Sequence, residues 1–171
     1  MTAATGVEVI PAPPEQEPVL ANMLELYAHD FSEFFDLRLG ADGRFGYERL
    51  PLYWTEPGRH PFLIKAGGRL AGFVLVRRGS GVSGDADVWD VAEFFVIRGL
   101  RGRGVGAEAA HEVWRRFPGR WEVRVMGRNR KAKGFWARAI KDFIGEAVEP
   151  TPFGEGGEGW HVFSFESVGA A

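Results

Sequence analysis

Between Arg98 and Gly106 the chain reads Arg98-Gly99-Leu100-Arg101-Gly102-Arg103-Gly104-Val105-Gly106, with glycine at every second position from Gly102 onward. Three arginines, Arg98, Arg101 and Arg103, fall within six residues. This combination suits an anion such as a phosphate. Missing side chains let the ligand approach backbone N–H groups, and the guanidiniums supply counter-charge. Just before it, Asp90 and Glu93 stand in an otherwise apolar run, Asp90-Val91-Ala92-Glu93-Phe94-Phe95-Val96-Ile97. A carboxylate there could accept a proton from a reacting group. Three positions separate the two acids, so a regular strand turns them to opposite faces unless a bulge intervenes. An ordinary tight turn with a solvated basic rim is the plain alternative, but glycine, arginine and a helix start coincide here.

These groups need elements to hold them. Val91, Phe94, Phe95, Val96 and Ile97 are the β-branched and aromatic types of a buried strand. Val105, Ala109, Val113 and Phe117 recur every four residues, so a helix follows the glycines and stops at Pro118-Gly119. Elsewhere the patterning predicts a strand over Val7–Ile10 and a helix over Glu15–Phe31. A second short helix is expected over Phe31–Leu39, and a long loop over Ala41–His60. Strands over Pro61–Ala66 and Arg69–Val76 are joined by a Gly67-Gly68 hairpin turn. Trp121–Met126 reads as a strand and Gly127–Lys133 as a basic loop, followed by a helix to about Lys141. The last strands are expected near Gly145–Val148 and Trp160–Phe165, with a turn-rich loop over 150–159 between them. Leu20, Met23/Leu24, Tyr27 and Phe31 repeat at helical spacing along the first helix. Tyr27, His29 and Asp30 sit together near the end of that helix, a cluster that could face a substrate, with a satisfied surface histidine as the plainer reading. Tyr47, Tyr53 and Trp54 either edge a binding site or cover the core.

Arg101, Gly104 and Gly106 form R-x-x-G-x-G, which resembles the acyl-CoA pyrophosphate loop of the GNAT N-acetyltransferase superfamily. Asn129, Ala132, Phe135 and Trp136 match that family's second motif, on the helix after the fifth strand. The order of elements is the family's as well. The resemblance therefore implies one GNAT-type domain over residues 1–171. Its fold class is α/β (α+β), a central mixed, mostly antiparallel sheet of about six to seven strands flanked by about four helices.

It also implies acetyl-CoA as co-substrate and direct attack of a primary amine on its thioester. Arg101, Gly102, Arg103, Gly104, Val105 and Gly106 would hold the pyrophosphate. Phe94, Phe95 and Val96 would offer a strand edge to the pantetheine amides, beside Asn129, Phe135 and Trp136. A free alkylamine is protonated at neutral pH, its pKa being about 10.4, so a base is required. Glu93 or Asp90 would be that base, with Glu93 preferred as nearer the expected thioester. The family often places a thiolate-protonating tyrosine where this chain has Trp136, and an indole is no practical acid. Tyr53 could take that role, or the thiolate could leave unaided, free thiols having a pKa of ~8.5.

Other functions fit less well. Gly102-x-Gly104-x-x-Ala107 satisfies a relaxed dinucleotide fingerprint, with Arg128 available for an NADP-like phosphate, but the loop sits past mid-chain and no acid ends the next strand. No Gly-Lys-Ser/Thr follows the glycines, which excludes a P-loop. A non-catalytic acyl-CoA sensor remains the alternative to an enzyme, and Trp136 is the residue that favours it. His29, His60, His111 and His161 are scattered, so no metal is expected.

The chain as a whole agrees with these limits. It has 171 residues, 45% hydrophobic and 26% charged, with a formal net charge of −2. Neither a nucleic-acid nor a membrane partner is expected from that balance. The lack of cysteine and of an 18-residue apolar run fits a cytoplasmic location. The N-terminal segment lacks the basic start and apolar centre of a secretory signal. Small-molecule and peptide amines both remain open as acceptors, and a homodimer is compatible with the sequence.

Overall fold

In the computed structural model, which describes residues 6–154 and 159–169, seven strands form one sheet in the order β1-β2-β3-β4-β5-β7-β6. The strands are β1 (Val7–Pro11), β2 (Arg59–Ala66), β3 (Arg69–Arg78), β4 (Trp89–Val96), β5 (Gly119–Met126), β6 (Thr151–Phe153) and β7 (Trp160–Ser167). The helices are α1 (Glu17–Phe31), α2 (Leu52–Thr55), α3 (Val105–Arg116) and α4 (Arg130–Ile144). Neighbouring strands run antiparallel except β4 and β5, which are parallel and joined through α3. Among the described residues no helix is long and apolar enough to cross a membrane.

Each face of the sheet carries its own core. Trp114, Trp121, Phe163, Ile140 and the alternating Val123 and Val125 fill the face under α3 and α4. Leu20, Met23 and Leu24 of α1 pack on Leu63, Phe73, Leu75 and Phe95 on the other face. Trp114 and Leu20 are fully buried. Gly67 and Gly68 turn the β2–β3 hairpin with φ of 57° and 76°, the left-handed pair that suits a two-residue connection.

Two features of β4 shape the site. Leu75 pairs with Glu93 and Val76 with Val91, so Ala92 is an extra residue, a bulge. The bulge resets the alternation, and Asp90 and Glu93 share the α1 face instead of facing opposite ways. Second, β4 pairs with β5 only at Trp89↔Trp121 and Asp90↔Glu122. Beyond Asp90 the two strands part, and the rest of β4 presents an unpaired edge to the gap.

Three expectations need correction. After Phe31, the last residue of α1, the chain to Leu39 is a turn followed by irregular chain, not a second helix. The Phe34 carbonyl, which a continuing helix would use internally, accepts from Arg128 Nη2 at 2.9 Å. The sixth strand lies at Thr151–Phe153 and not at Gly145–Val148, because α4 runs on to Ile144 and Gly145 ends it with φ of 87°. Arg130, Lys131 and Lys133 belong to the first turn of α4 rather than to a loop, since the Asn129 side chain caps the helix there. Part of the expected 150–159 loop, residues 155–158, lies outside the described residues.

Candidate active site

A cleft of about 930 Å³ opens where β4 and β5 part, and Tyr27, Glu93, Phe94, Gly104, Asn129 and Trp160 are among its lining residues. Its rim on one side is the turn from β4 into α3. Arg98–Leu100 forms a single 3-10 turn, then Gly102 and Gly104 take φ of 73° and 83°. Gly104 caps α3 from this left-handed conformation, and Val105 is buried beneath the helix start. Its first-turn amides have no partner within the helix, so they face outward as donors, with the helix dipole behind them. Gly106 is needed for a different reason: a Cβ there would lie 3.1 Å from the Phe135 ring.

The arginines of this turn are partly committed. Arg98 and Arg101 both bond Asp30 at the end of α1, and Arg101 Nε donates to the Val96 carbonyl at 2.7 Å. Burial pushes the Asp30 carboxyl up, but the two guanidiniums outweigh it and hold the group below its ordinary range. Arg103 is exposed. Across the cleft, Asn129 Oδ1 accepts from the Ala132 N–H at 3.1 Å, leaving its amide nitrogen available. Arg130, Lys131 and Lys133 crowd the first turn of α4 with no acid among them, against the helix dipole. An anion beside them would relieve that repulsion.

At the centre, Glu93 accepts hydrogen bonds from two tyrosines. Tyr27 of α1 donates to Oε2, and Tyr47 of the long loop donates to Oε1 at 3.1 Å. Burial pushes the Glu93 carboxyl above its ordinary range, against the pull of Tyr27, Arg124 and Tyr47. Burial and the Glu93 charge likewise push Tyr27 far up, so its phenol stays protonated. Asp90 is held differently. It is 2% exposed, takes Arg77 Nη2 at 2.6 Å, and has Arg124 Nε at 3.8 Å. It does not line the cleft, and its geometry is that of a structural ion pair.

Tyr53 stands behind the site and outside the cleft, where burial and the Glu93 charge push its phenol above its ordinary range. It is 2% exposed within the α1-side core, under Arg59, and is not among the cleft's lining residues. Four-residue α2 turns it inward, which is why the expectation placing it near the reaction is corrected. Phe94, Phe135 and Trp136 do gather, with Trp136 edge-on to both rings at 5.0 and 4.8 Å between centroids. Phe95 turns to the other face, against Phe73.

Three residues of the site carry no catalytic or binding role that the sequence alone assigns. Tyr27 repeats at helical spacing with Leu20 and Leu24 on the buried stripe of α1, but that spacing does not show that its hydroxyl meets Glu93. His29, its neighbour in the same cluster, is exposed as expected. Tyr47 sits in a segment without periodicity, and Arg124 reads as the polar member of an alternating strand. Among the described residues no group of three His, Asp or Glu could hold a metal ion.

Comparison with known proteins agrees with this geometry. The acetyltransferase (GNAT) family description matches residues 20–140. An acetyltransferase from Thermus thermophilus shares the fold at 20% identity and a TM-score of 0.69, over 96% of this chain and 99% of that one. The yncA protein of Salmonella typhimurium, whose structure contains its cofactor acetyl-CoA, gives 14% identity and 0.62, over 96% of each chain. Spermidine N-acetyltransferase from Vibrio cholerae, in complex with CoA and spermine, gives 12% identity and 0.59, over 94% of this chain and 95% of that one. No curated protein sequence matches.

Proposed function

The chain belongs to the GNAT acetyltransferase family, and we propose that it transfers an acetyl group from acetyl-CoA to a primary amine by direct attack, as one domain spanning residues 1–171. The observation that carries this reading is the parting of β4 from β5 beside a doubly hydrogen-bonded Glu93. The chain's groups fit the co-substrate. Gly102 to Gly106 offers outward amides at a helix start, Arg103 and the first turn of α4 offer cations for phosphates, and the free edge of β4 offers partners for amides. Asn129 would add its amide N–H to the arm.

Bound acetyl-CoA supplies the thioester carbon that the amine attacks. Glu93 takes the amine proton, directly or through one water, while the N–C bond forms and the C–S bond breaks. Its raised pKa makes it a stronger base than an ordinary carboxylate. Tyr27, whose phenol stays protonated, keeps its hydrogen bond to Glu93 and holds the carboxyl in place as it takes the proton. Trp136 with Phe94 and Phe135 forms an apolar wall of the cleft. A free thiol pKa of ~8.5 lets the sulfur leave as the thiolate without a proton donor.

The test is thermal unfolding with acetyl-CoA, CoA, NADH and NADPH, each in excess. A ligand at about 100 times its dissociation constant adds about 2.7 kcal/mol. A shift with acetyl-CoA and CoA supports the reading, and a shift with a nicotinamide nucleotide alone contradicts it.

A further inference from the structure

We infer that the acceptor is an amine that also carries a carboxylate, of amino-acid type with an apolar body, and that Arg124 is the residue that selects it. This rests on the acetyl-transfer reading and names the substrate class for the same site.

Arg124 projects from β5 to the face that bears Glu93, since Val123 and Val125 beside it fill the opposite core. It lines the cleft with Tyr27 and Glu93. Its guanidinium lies 5.3 Å from the Trp160 ring centroid, which fixes its plane. Its Nε is buried and has no hydrogen-bond partner among the described residues. Its nearest carboxylate, Asp90, stands 3.8 Å away and is already bonded by Arg77 at 2.6 Å, and Glu93, whose charge it also feels, is bonded by Tyr27 and Tyr47. Two guanidiniums therefore share one structural acid. Nε is closed off from the cleft, so the two Nη groups are the donors the cleft can use, and an arginine fork fits a carboxylate with two parallel bonds.

Glu93 and Arg124 divide a zwitterion between them. Glu93 receives the ammonium and its proton, while Arg124 receives the carboxylate, which survives the reaction unchanged. Phe31, Phe34 and Trp160 line the same cleft, Trp160 directly beside Arg124, and would pack the apolar body. A polyamine has nothing to offer Arg124, and its extra positive charge meets a like charge there.

The experiment measures CoA release from acetyl-CoA with L-phenylalanine, L-leucine and L-methionine. The comparison amines are phenethylamine, spermidine and a lysine peptide blocked at both ends. The wild type should favour L-phenylalanine over phenethylamine by roughly 10- to 100-fold in kcat/KM, the worth of one charge-assisted pair. Arg124→Gln should collapse that ratio through a higher KM for the carboxylate substrate, and Arg124→Lys should restore part of it. Equal or better use of phenethylamine, spermidine or the peptide by the wild type overturns the inference and leaves acetyl transfer standing. An unchanged ratio in Arg124→Gln also overturns it. No release from any amine, by protein that binds acetyl-CoA, contradicts acetyl transfer itself and this inference with it.

Discussion

The hydroxyl of Tyr27, in the fourth turn of α1, donates to Oε2 of Glu93 on β4, 66 positions further along the chain. Two elements that meet only in the folded protein therefore set the proton affinity of one carboxylate. Tyr47 completes the arrangement from a loop that has no regular structure of its own.

Removing one of these donors should move the base. The Tyr27 hydrogen bond pulls the Glu93 pKa down. In Tyr27→Phe that pull is gone and the carboxyl titrates higher. The acid limb of the kcat/KM profile should shift to higher pH accordingly. An unmoved limb would show that Glu93 is not the group being titrated.

Glu93→Gln should leave the fold at least as stable as the parent at pH 7. An acid whose folded pKa is raised binds extra protons when folded. Its stabilising effect is complete below the unfolded pKa of about 4.3 and is lost as pH rises through the raised value. Glutamine removes that loss at neutral pH. Thermal melts of both proteins from about pH 4 to about pH 8 would show the variant gaining on the parent as pH rises.

Asp90→Asn should act on stability instead. It removes the acid that Arg77 and Arg124 share, leaving buried positive charge uncompensated, at a cost of about 3–5 kcal/mol. For a chain of this length that lowers the melting temperature by roughly 6–20 °C. A midpoint within about 2 °C of the parent would mean that neither arginine depends on Asp90.

Gly104→Trp tests the rim of the cleft. The position has φ of 83° and lines the cavity, so an indole both strains the turn and fills the approach to the α3 amides. The stabilisation by acetyl-CoA should vanish. Retention of the full shift would place the cofactor's phosphates elsewhere.

The phosphate-type rim was legible because its chemistry is local. Glycine spacing, arginine and helix start lie within nine residues, and a backbone cradle needs nothing from the rest of the chain. The seven strands were legible from alternation, apart from β6, whose three exposed residues carry no period. The acid pair could be seen but not oriented, because the Ala92 bulge depends on the register against β3. Tyr47 and Arg124 were hidden for a related reason. Their roles come from what α1, β4 and β7 bring to them, and no spacing in the sequence encodes that.

The most direct measurement is amine-dependent release of CoA from acetyl-CoA by the wild type and by Glu93→Gln, across about pH 5 to pH 9. The account predicts turnover by the wild type with an acid limb set by Glu93. In the variant that limb should disappear and the rate should fall by roughly 10²–10⁴-fold, the usual contribution of a positioned base. A variant with the parent's rate and pH profile would contradict the account.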